Sequence, residues 1–162
     1  MKKLFTIIFF SLLSLNLFSE EFSLFPWFCN QNDIYTQCIN KGWKFQSDVS
    51  SKIPCYIFYT TDDVTYRGFP VFAVSFLFDE NGIVASQSIT FPKAFEATDT
   101  FPAVLELMLA DKVQLLDKTY ENNDIKKINY NGLINNSLRA NYNIRGKDNL
   151  YQISVFYVNI NP

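Results

Sequence analysis

The feature that most constrains the fold is Asn81-Gly82, set between two runs of alternating apolar and polar residues. Asn-Gly is preferred in type I′ turns, because both central residues of such a turn need positive φ. Residues 71–91 are therefore predicted to form an antiparallel hairpin. Pairing outward from the turn gives the partners Phe78–Ala85, Phe76–Gln87, Val74–Ile89 and Phe72–Phe91.

Side chains alternate between the two faces of a strand, so this hairpin has two unlike sides. One side is apolar and is interrupted only by Gln87, whereas the other is small, polar and uncharged. A slip of one residue would bury the serines and expose the phenylalanines, so the pattern itself specifies the register.

A second hairpin is predicted over residues 137–157, with Gly146-Lys147-Asp148-Asn149 as its turn. A four-residue loop gives the apolar pairs Ile144–Tyr151, Tyr142–Ile153, Ala140–Val155 and Leu138–Tyr157. The opposite side carries the pairs Asn143–Gln152, Asn141–Ser154 and Arg139–Phe156. This hairpin, like the first, needs a core against only one side.

Two helices are predicted, over residues 33–41 and 101–117. Asn32 or Asp33 can cap the first helix, and Gly42 can end it. Thr100 can cap the second, and Pro102 suits its first turn. The second helix has an apolar stripe at helical spacing that is expected to be core. Its members are Val104, Leu105, Met108, Leu109, Leu115 and Leu116.

Each hairpin follows a helix and a Tyr-x-Gly segment, Tyr66-Arg67-Gly68-Phe69 in one case and Tyr130-Asn131-Gly132-Leu133 in the other. Residues 31–91 and 100–160 are thus predicted to be two α-β-β-β units within a single α+β domain, residues 20–162. The expected fold is an antiparallel sheet of about six strands with two helices packed on one face. This layout resembles that of β-lactamase inhibitor proteins and, for a single unit, of small outer-membrane assembly lipoproteins, although no family motif is matched.

Residues 1–19 are predicted to be a signal peptide, with Lys2 and Lys3 before an apolar segment and Ser19 before the cut. The protein is therefore expected to be exported, either periplasmic or secreted. An uncleaved anchor is the alternative, and membrane association is expected only in that case. In an oxidising compartment one disulfide is expected among Cys29, Cys38 and Cys55. A bridge from the N-terminal segment to Cys55 is preferred over the other pairings.

The residue inventory argues against an enzyme, a metal protein or a nucleic-acid binder. The chain contains no histidine, which removes the commonest general base and most zinc sites. Paired carboxylates fall in predicted turns, where acidic residues are ordinary. No catalytic residues, metal ligands or cofactor are predicted. Without residues 1–19 the chain has 12 basic against 16 acidic residues and no basic stripe, so nucleic acid is not an expected partner.

The polar sides of the two hairpins are the predicted binding surface, because exposed sheets usually carry Lys and Glu. A protein or a glycan of the envelope or the extracellular space is expected to dock there, with Leu77 and Phe156 as apolar anchors. A plainly solvated face is one alternative, and a carrier of a small apolar ligand, such as a lipid between helices and sheet, is another. The predicted partner-binding residues are Ser75, Leu77, Ser86, Ser88, Thr90, Asn141, Asn143, Gln152, Ser154 and Phe156.

Overall fold

The computed structural model describes residues 19–48, 54–121, 126–147 and 150–160. Apart from Ser19, the predicted signal peptide lies outside the described residues. The elements of the described part of the chain are, in order, β1 (Glu20–Glu21), α1 (Gln31–Asn40), β2 (Lys44–Asp48), β3 (Cys55–Tyr59), β4 (Val64–Tyr66), β5 (Phe69–Pro70), β6 (Ala73–Phe78), β7 (Val84–Thr90), α2 (Ala97–Ala110), β8 (Gln114–Glu121), β9 (Lys126–Asn135), β10 (Leu138–Lys147) and β11 (Leu150–Asn159). None of the helices in this part of the chain is long and apolar enough to cross a membrane.

Eight strands form one antiparallel sheet in the order β2-β3-β6-β7-β11-β10-β9-β8. Strands β1, β4 and β5 form a separate small sheet. The α+β prediction is confirmed, with eight strands in the main sheet instead of about six. Each helix precedes a four-stranded meander, and the two meanders join where β7 pairs with β11. The predicted three-strand units therefore each lack one strand, β2 in the first and β8 in the second.

The two Tyr-x-Gly segments do not occupy equivalent positions. Tyr66 to Phe69 forms the tight turn from β4 to β5, where Arg67 and Gly68 have φ of 52° and 80°. Tyr130 to Leu133 instead lies inside β9, paired to strands on both sides. The sequence match between them is therefore a coincidence of composition.

The central pairing of the first hairpin is as predicted, with Val74 opposite Ile89 and Phe76 opposite Gln87. A bulge near the turn places Phe78 opposite Val84 instead of Ala85. The carboxylate of Asp79 causes the difference, because it accepts hydrogen bonds from the N–H groups of Asn81 at 2.9 Å and Ile83 at 2.8 Å. Gly82, with φ of 76°, then occupies the left-handed position of a three-residue loop.

Phe72 is also placed differently from the prediction. Its side chain is 47 % exposed and packs on the ring of Tyr59 at a centroid distance of 5.3 Å, while Phe91 is fully buried. Pro70 interrupts the alternation just before this point, because it ends the short strand β5.

The register of the second hairpin is shifted by two residues from the prediction. Ile144 pairs with Ile153 and Tyr142 with Val155, because the strands continue to Lys147 and resume at Leu150. A shift of two leaves every side chain on its predicted face, so the consequence for the sheet is small.

Both helices pack on the same side of the sheet. Ile34 and Cys38 of α1 and Val104 and Leu107 of α2 belong to one core together with the apolar sheet face. That face includes the fully buried Phe76, Phe91, Ile153, Tyr142 and Tyr157. Helix α1 begins with a capping box formed by Asn30 and Asp33.

The prediction that α2 continues to residue 117 is wrong. The helix ends at Ala110, and Lys112 takes a left-handed conformation with φ of 54°, so β8 begins at Gln114. Of the expected core stripe only Val104 and Met108 are buried. The four remaining members, Leu105, Leu109, Leu115 and Leu116, are 40–70 % exposed.

Gln87, the one polar residue of the apolar hairpin face, is 1 % exposed, and both ends of its amide are hydrogen-bonded. Its Oε1 accepts from the Phe25 N–H at 2.8 Å, and its Nε2 donates to the Phe25 carbonyl at 2.7 Å. The amide thus pairs like a peptide group and attaches the N-terminal segment to the sheet.

The expected disulfide is not formed, and all three cysteines are thiols. Cys55 lies opposite Leu77, on the sheet face away from the helices, whereas Cys29 and Cys38 lie in the core on the helix side. The sheet therefore separates Cys55 from both of its predicted partners. Burial raises the pKa of both core thiols, in Cys38 to about 12.

Candidate functional site

The ten predicted partner-binding residues lie on one face of the eight-stranded sheet, which we call the polar face. Residues directly opposite in neighbouring strands share a face, so the pairs define it. One row of pairs is Ser75–Ser88, Ser88–Phe156 and Phe156–Asn141. The next row is Thr90–Ser154 and Ser154–Asn143. Leu77–Ser86 and Gln152–Arg145 lie on either side of these rows.

Hydroxyl groups in the centre of the polar face bond mostly to one another and to the sheet. The hydroxyls of Ser75 and Ser88 are in contact, and those of Thr90 and Ser154 are 3.2 Å apart. Ser86 donates to the Tyr157 carbonyl at 3.1 Å. Ser86 and Ser88 are only 8 % and 5 % exposed, so this part of the face is less hydrated than the sequence suggested.

Four asparagines form a two-by-two array on the polar face, with Asn131 opposite Asn141 and Asn129 opposite Asn143. The side-chain oxygens of Asn129, Asn141 and Asn143 are buried and accept no hydrogen bond within the described part of the protein. Leaving a buried acceptor without a donor costs about 1–3 kcal/mol for each group. Asn141 and Asn143 are themselves only half-buried, so rotation of either amide would present its oxygen to a ligand that carries hydrogen-bond donors.

The sequence analysis did not include Asn129 and Asn131 in the site, because it predicted no pairing partners for the strand that contains them. Their signal is present in the run Ile128-Asn129-Tyr130-Asn131, where apolar and amide residues alternate. Once Tyr130 is assigned to the core face, the alternation places both amides on the other side.

A depression of about 650 Å³ lies beside this array. Leu77 and Phe156 contribute apolar surface to it, Asn131 and Asn141 contribute amides, and Arg139 contributes an exposed guanidinium. An apolar patch with convergent hydrogen-bonding groups is typical of a site that recognises a partner side chain or a sugar ring.

A second polar cluster, which sequence reasoning missed entirely, lies in the core on the helix side. Asp111, the residue that caps the end of α2, is 8 % exposed. Its Oδ2 accepts from the hydroxyls of Tyr157 at 2.6 Å and Tyr142 at 2.9 Å. Its Oδ1 accepts from Tyr66 at 3.1 Å and from Arg67 Nη2 at 3.1 Å. We call these five residues the Asp111 cluster.

The environment of the Asp111 cluster keeps its tyrosines protonated. Burial, followed by other contributions that include the negative charge of Asp111, raises the pKa of Tyr66 to about 12. Burial and the surrounding groups raise the pKa of Tyr142 and Tyr157 as well. Phenols that stay neutral can donate to the carboxylate, so the cluster is matched in hydrogen bonding and in charge.

The cluster joins four distant segments, namely the β4–β5 turn, the end of α2, β10 and β11. Glu21 stabilises the left-handed backbone of Arg67, because the Arg67 N–H donates to Glu21 Oε1 at 2.6 Å. Both carboxylate oxygens of Asp111 already accept hydrogen bonds within the protein. We therefore interpret the Asp111 cluster as a structural element that stabilises the fold. The sequence signal was that Tyr142 and Tyr157 face a core, where a buried phenol hydroxyl needs an acceptor.

No protein-family model, curated protein or solved structure matches this chain. Among the described residues, no group of three or more Cys, Asp or Glu side chains stands close enough together to hold a metal ion.

Proposed function

We propose that the protein is an exported, non-catalytic binding module that docks a protein or a glycan of the envelope or the extracellular space on the polar face. The observation that carries the proposal is the asparagine array, whose three buried amide oxygens have no donor in the described residues. A partner with N–H or O–H groups would relieve that deficit when its donors reach the amides.

The surroundings of the array suit such a partner. Phe156 and Leu77 provide apolar area beside the amides in the 650 Å³ depression. The central rows of the face carry hydroxyl and amide groups, while Arg139, Arg145 and Lys127 lie toward its margins. Protein interfaces usually have few charged residues at their centre and more at their rim, and the polar face has the same distribution of charge.

The test replaces one residue of the array by lysine. Asn141→Lys would bring a charge into a surface that becomes desolvated on docking, so we expect at least a tenfold loss of affinity, on the order of the 1–2 kcal/mol typical of a hot-spot change. Asn40→Lys, at the exposed end of α1, is the matched control with the same change in side chain and charge. Ser88→Lys tests β7, which lies on the other side of β11.

The readout is capture by the immobilised protein from an envelope extract, and binding to an array of neutral and acidic glycans. We expect the wild-type protein and the Asn40→Lys control to capture a partner, and Asn141→Lys to lose it. Equal capture of the partner by Asn141→Lys and Asn40→Lys would refute the proposal.

A carrier of a small apolar ligand would need space between helices and sheet. Aromatic rings pack closely on part of the core face of the sheet, where Phe76 contacts Phe25 at a centroid distance of 5.2 Å and Phe58 at 6.1 Å. Native mass spectrometry of the purified chain separates the two functions, because a carrier would retain a lipid and the proposed module would not.

A further inference from the structure

The outer side of α2 carries an apolar stripe that is only partly covered in the described structure, where the Phe101 ring lies 6.0 Å from the ring of Tyr130. Phe101, Leu105 and Leu109 are 50 %, 40 % and 70 % exposed. Residues four apart lie on one line along a helix, so these three form a continuous ridge. The opposite side of the same helix is buried through Val104 and Leu107.

A helix that is apolar on both sides ordinarily lies inside a protein or an assembly. Leu115 and Leu116, at the start of the strand that follows the helix, are also exposed, by 48 % and 52 %. Contiguous exposed patches of this kind mark interaction sites. We call Phe101, Leu105 and Leu109 the outer stripe.

We propose that a second copy of this chain docks on the outer stripe, with the two α2 helices antiparallel across a two-fold axis at Leu105. The spacing is symmetric about Leu105, since Phe101 lies four residues before it and Leu109 four residues after it. A two-fold axis therefore places Leu105 against its own copy and Phe101 against Leu109 of the other chain. Self-complementarity of this kind is what an isologous dimer requires.

The charges at the ends of α2 favour the same arrangement. Glu96 and Asp99 are exposed at the start of the helix, and Lys112 is exposed just beyond its end. In an antiparallel pair each lysine lies near the acidic end of the other helix, whereas a parallel pair would bring like charges together. Antiparallel helix dipoles act in the same direction.

The dimer would leave both polar faces open. Helix α2 packs on the core side of the sheet, together with Tyr142 and Val155, and the polar face lies on the other side. Two copies joined through their helices therefore present two polar faces pointing away from each other. This inference does not depend on the proposed function, but a bivalent arrangement would raise the avidity of any partner docked there.

Sedimentation equilibrium of the purified full chain, from about 1 µM to about 200 µM, measures the association in the micromolar range usual for a small interface. We expect a mass that rises with concentration to twice that of the monomer. Leu105→Glu brings two carboxylates together at the axis and is expected to weaken association by at least about 100-fold. Leu150→Glu is the matched control, because Leu150 is 46 % exposed on β11.

Three further variants keep the proposal falsifiable if Leu105→Glu folds poorly. Leu109→Glu changes the most exposed residue of the stripe and should also weaken the dimer. Asp99→Lys places two lysines together and should weaken the dimer as well. The double variant Asp99→Lys, Lys112→Glu exchanges the two charges and should restore it. A monomer at every concentration, or a dimer that Leu105→Glu and Leu150→Glu affect equally, overturns the proposal. Flotation of the monomer with phosphatidylcholine–phosphatidylglycerol vesicles, abolished by Leu105→Glu, would assign the stripe to a membrane surface and overturn it as well.

Discussion

Replacing Asp111 tests whether the cluster around it holds the fold together. The carboxylate accepts four hydrogen bonds of 2.6–3.1 Å, from Tyr66, Tyr142, Tyr157 and Arg67. Asp111→Ala removes every one of these acceptors while leaving the donors in place. The phenols then remain in the core, where water does not replace the lost acceptor.

The expected loss of stability depends on which hydrogen bonds each donor can still form in Asp111→Ala. Each phenol has one proton, so Tyr66 and Tyr157, whose hydroxyl oxygens are 2.7 Å apart, can form one mutual hydrogen bond once the carboxylate is removed, whereas Tyr142 loses the carboxylate as its acceptor. The Arg67 side chain, 46 % exposed, can turn to water. Hydrogen bonds to a charged group contribute about 1.5–3 kcal/mol each, and breaking a buried ionic network costs about 3–5 kcal/mol. We therefore expect Asp111→Ala to lower the free energy of unfolding by about 3–5 kcal/mol.

Urea unfolding followed by far-UV circular dichroism measures the change. Asp111→Asn is the matched control, because it keeps the shape and one carbonyl acceptor, and it should cost less than the alanine variant. A double-mutant cycle with Tyr142→Phe should give a coupling energy of about 1–2 kcal/mol. A loss below about 1 kcal/mol for Asp111→Ala, or additivity in the cycle, would refute the idea that the cluster acts as a unit.

Three other predictions follow from the structure. The pKa of Tyr66 rises from 10 in the unfolded chain to about 12 in the folded protein, and burial raises the pKa of Tyr142 and Tyr157 as well, so the stability that the three tyrosines contribute is complete below pH 10. Stability falls as the pH rises above 10, by up to about 1.4 kcal/mol per pH unit for each tyrosine. Urea titrations at pH 8, 10 and 11 measure this, and a flat profile would contradict it. Gly146→Ala places a methyl group within 2.0 Å of the Tyr151 ring and should destabilise by about 1–3 kcal/mol, whereas a neutral effect on thermal unfolding would show that the ring moves aside. Labelling with a thiol reagent at pH 8 should modify Cys55 well before Cys38, which is fully buried with a pKa of about 12, and equal rates would show that the core opens locally.

The two hairpin faces could be predicted from sequence because a strand repeats every two residues. Phe76 and Tyr142 were placed toward a core, and both are fully buried in one sheet. The details near the turns could not be predicted in the same way. Asp79 uses its side chain to shape the first loop, and the second hairpin closes two residues later than expected. Both changes leave the faces as predicted, since alternation along each strand continues.

The spacing of apolar residues predicted the wrong end for α2. An apolar residue at helical spacing reads the same whether it faces the core or solvent, so Leu105 and Leu109 were indistinguishable from Val104 and Met108. The reversal at Lys112 uses a left-handed conformation in a residue other than glycine, for which sequence offers no dependable signal. The polar strand β2 was missed for a related reason, since Lys44 to Asp48 shows no clean alternation.

The sequence by itself determined the α+β class, the two hairpins and the separation of apolar from polar sides, because these follow from local periodicity. Only the tertiary structure decided which polar groups meet. Tyr66 and Tyr157 are 91 residues apart in the chain and their hydroxyls are 2.7 Å apart in space, with Asp111 between them in sequence. Contacts of this kind depend on the order of strands in the sheet and on where a helix stops, and these are set by the packing of the whole chain.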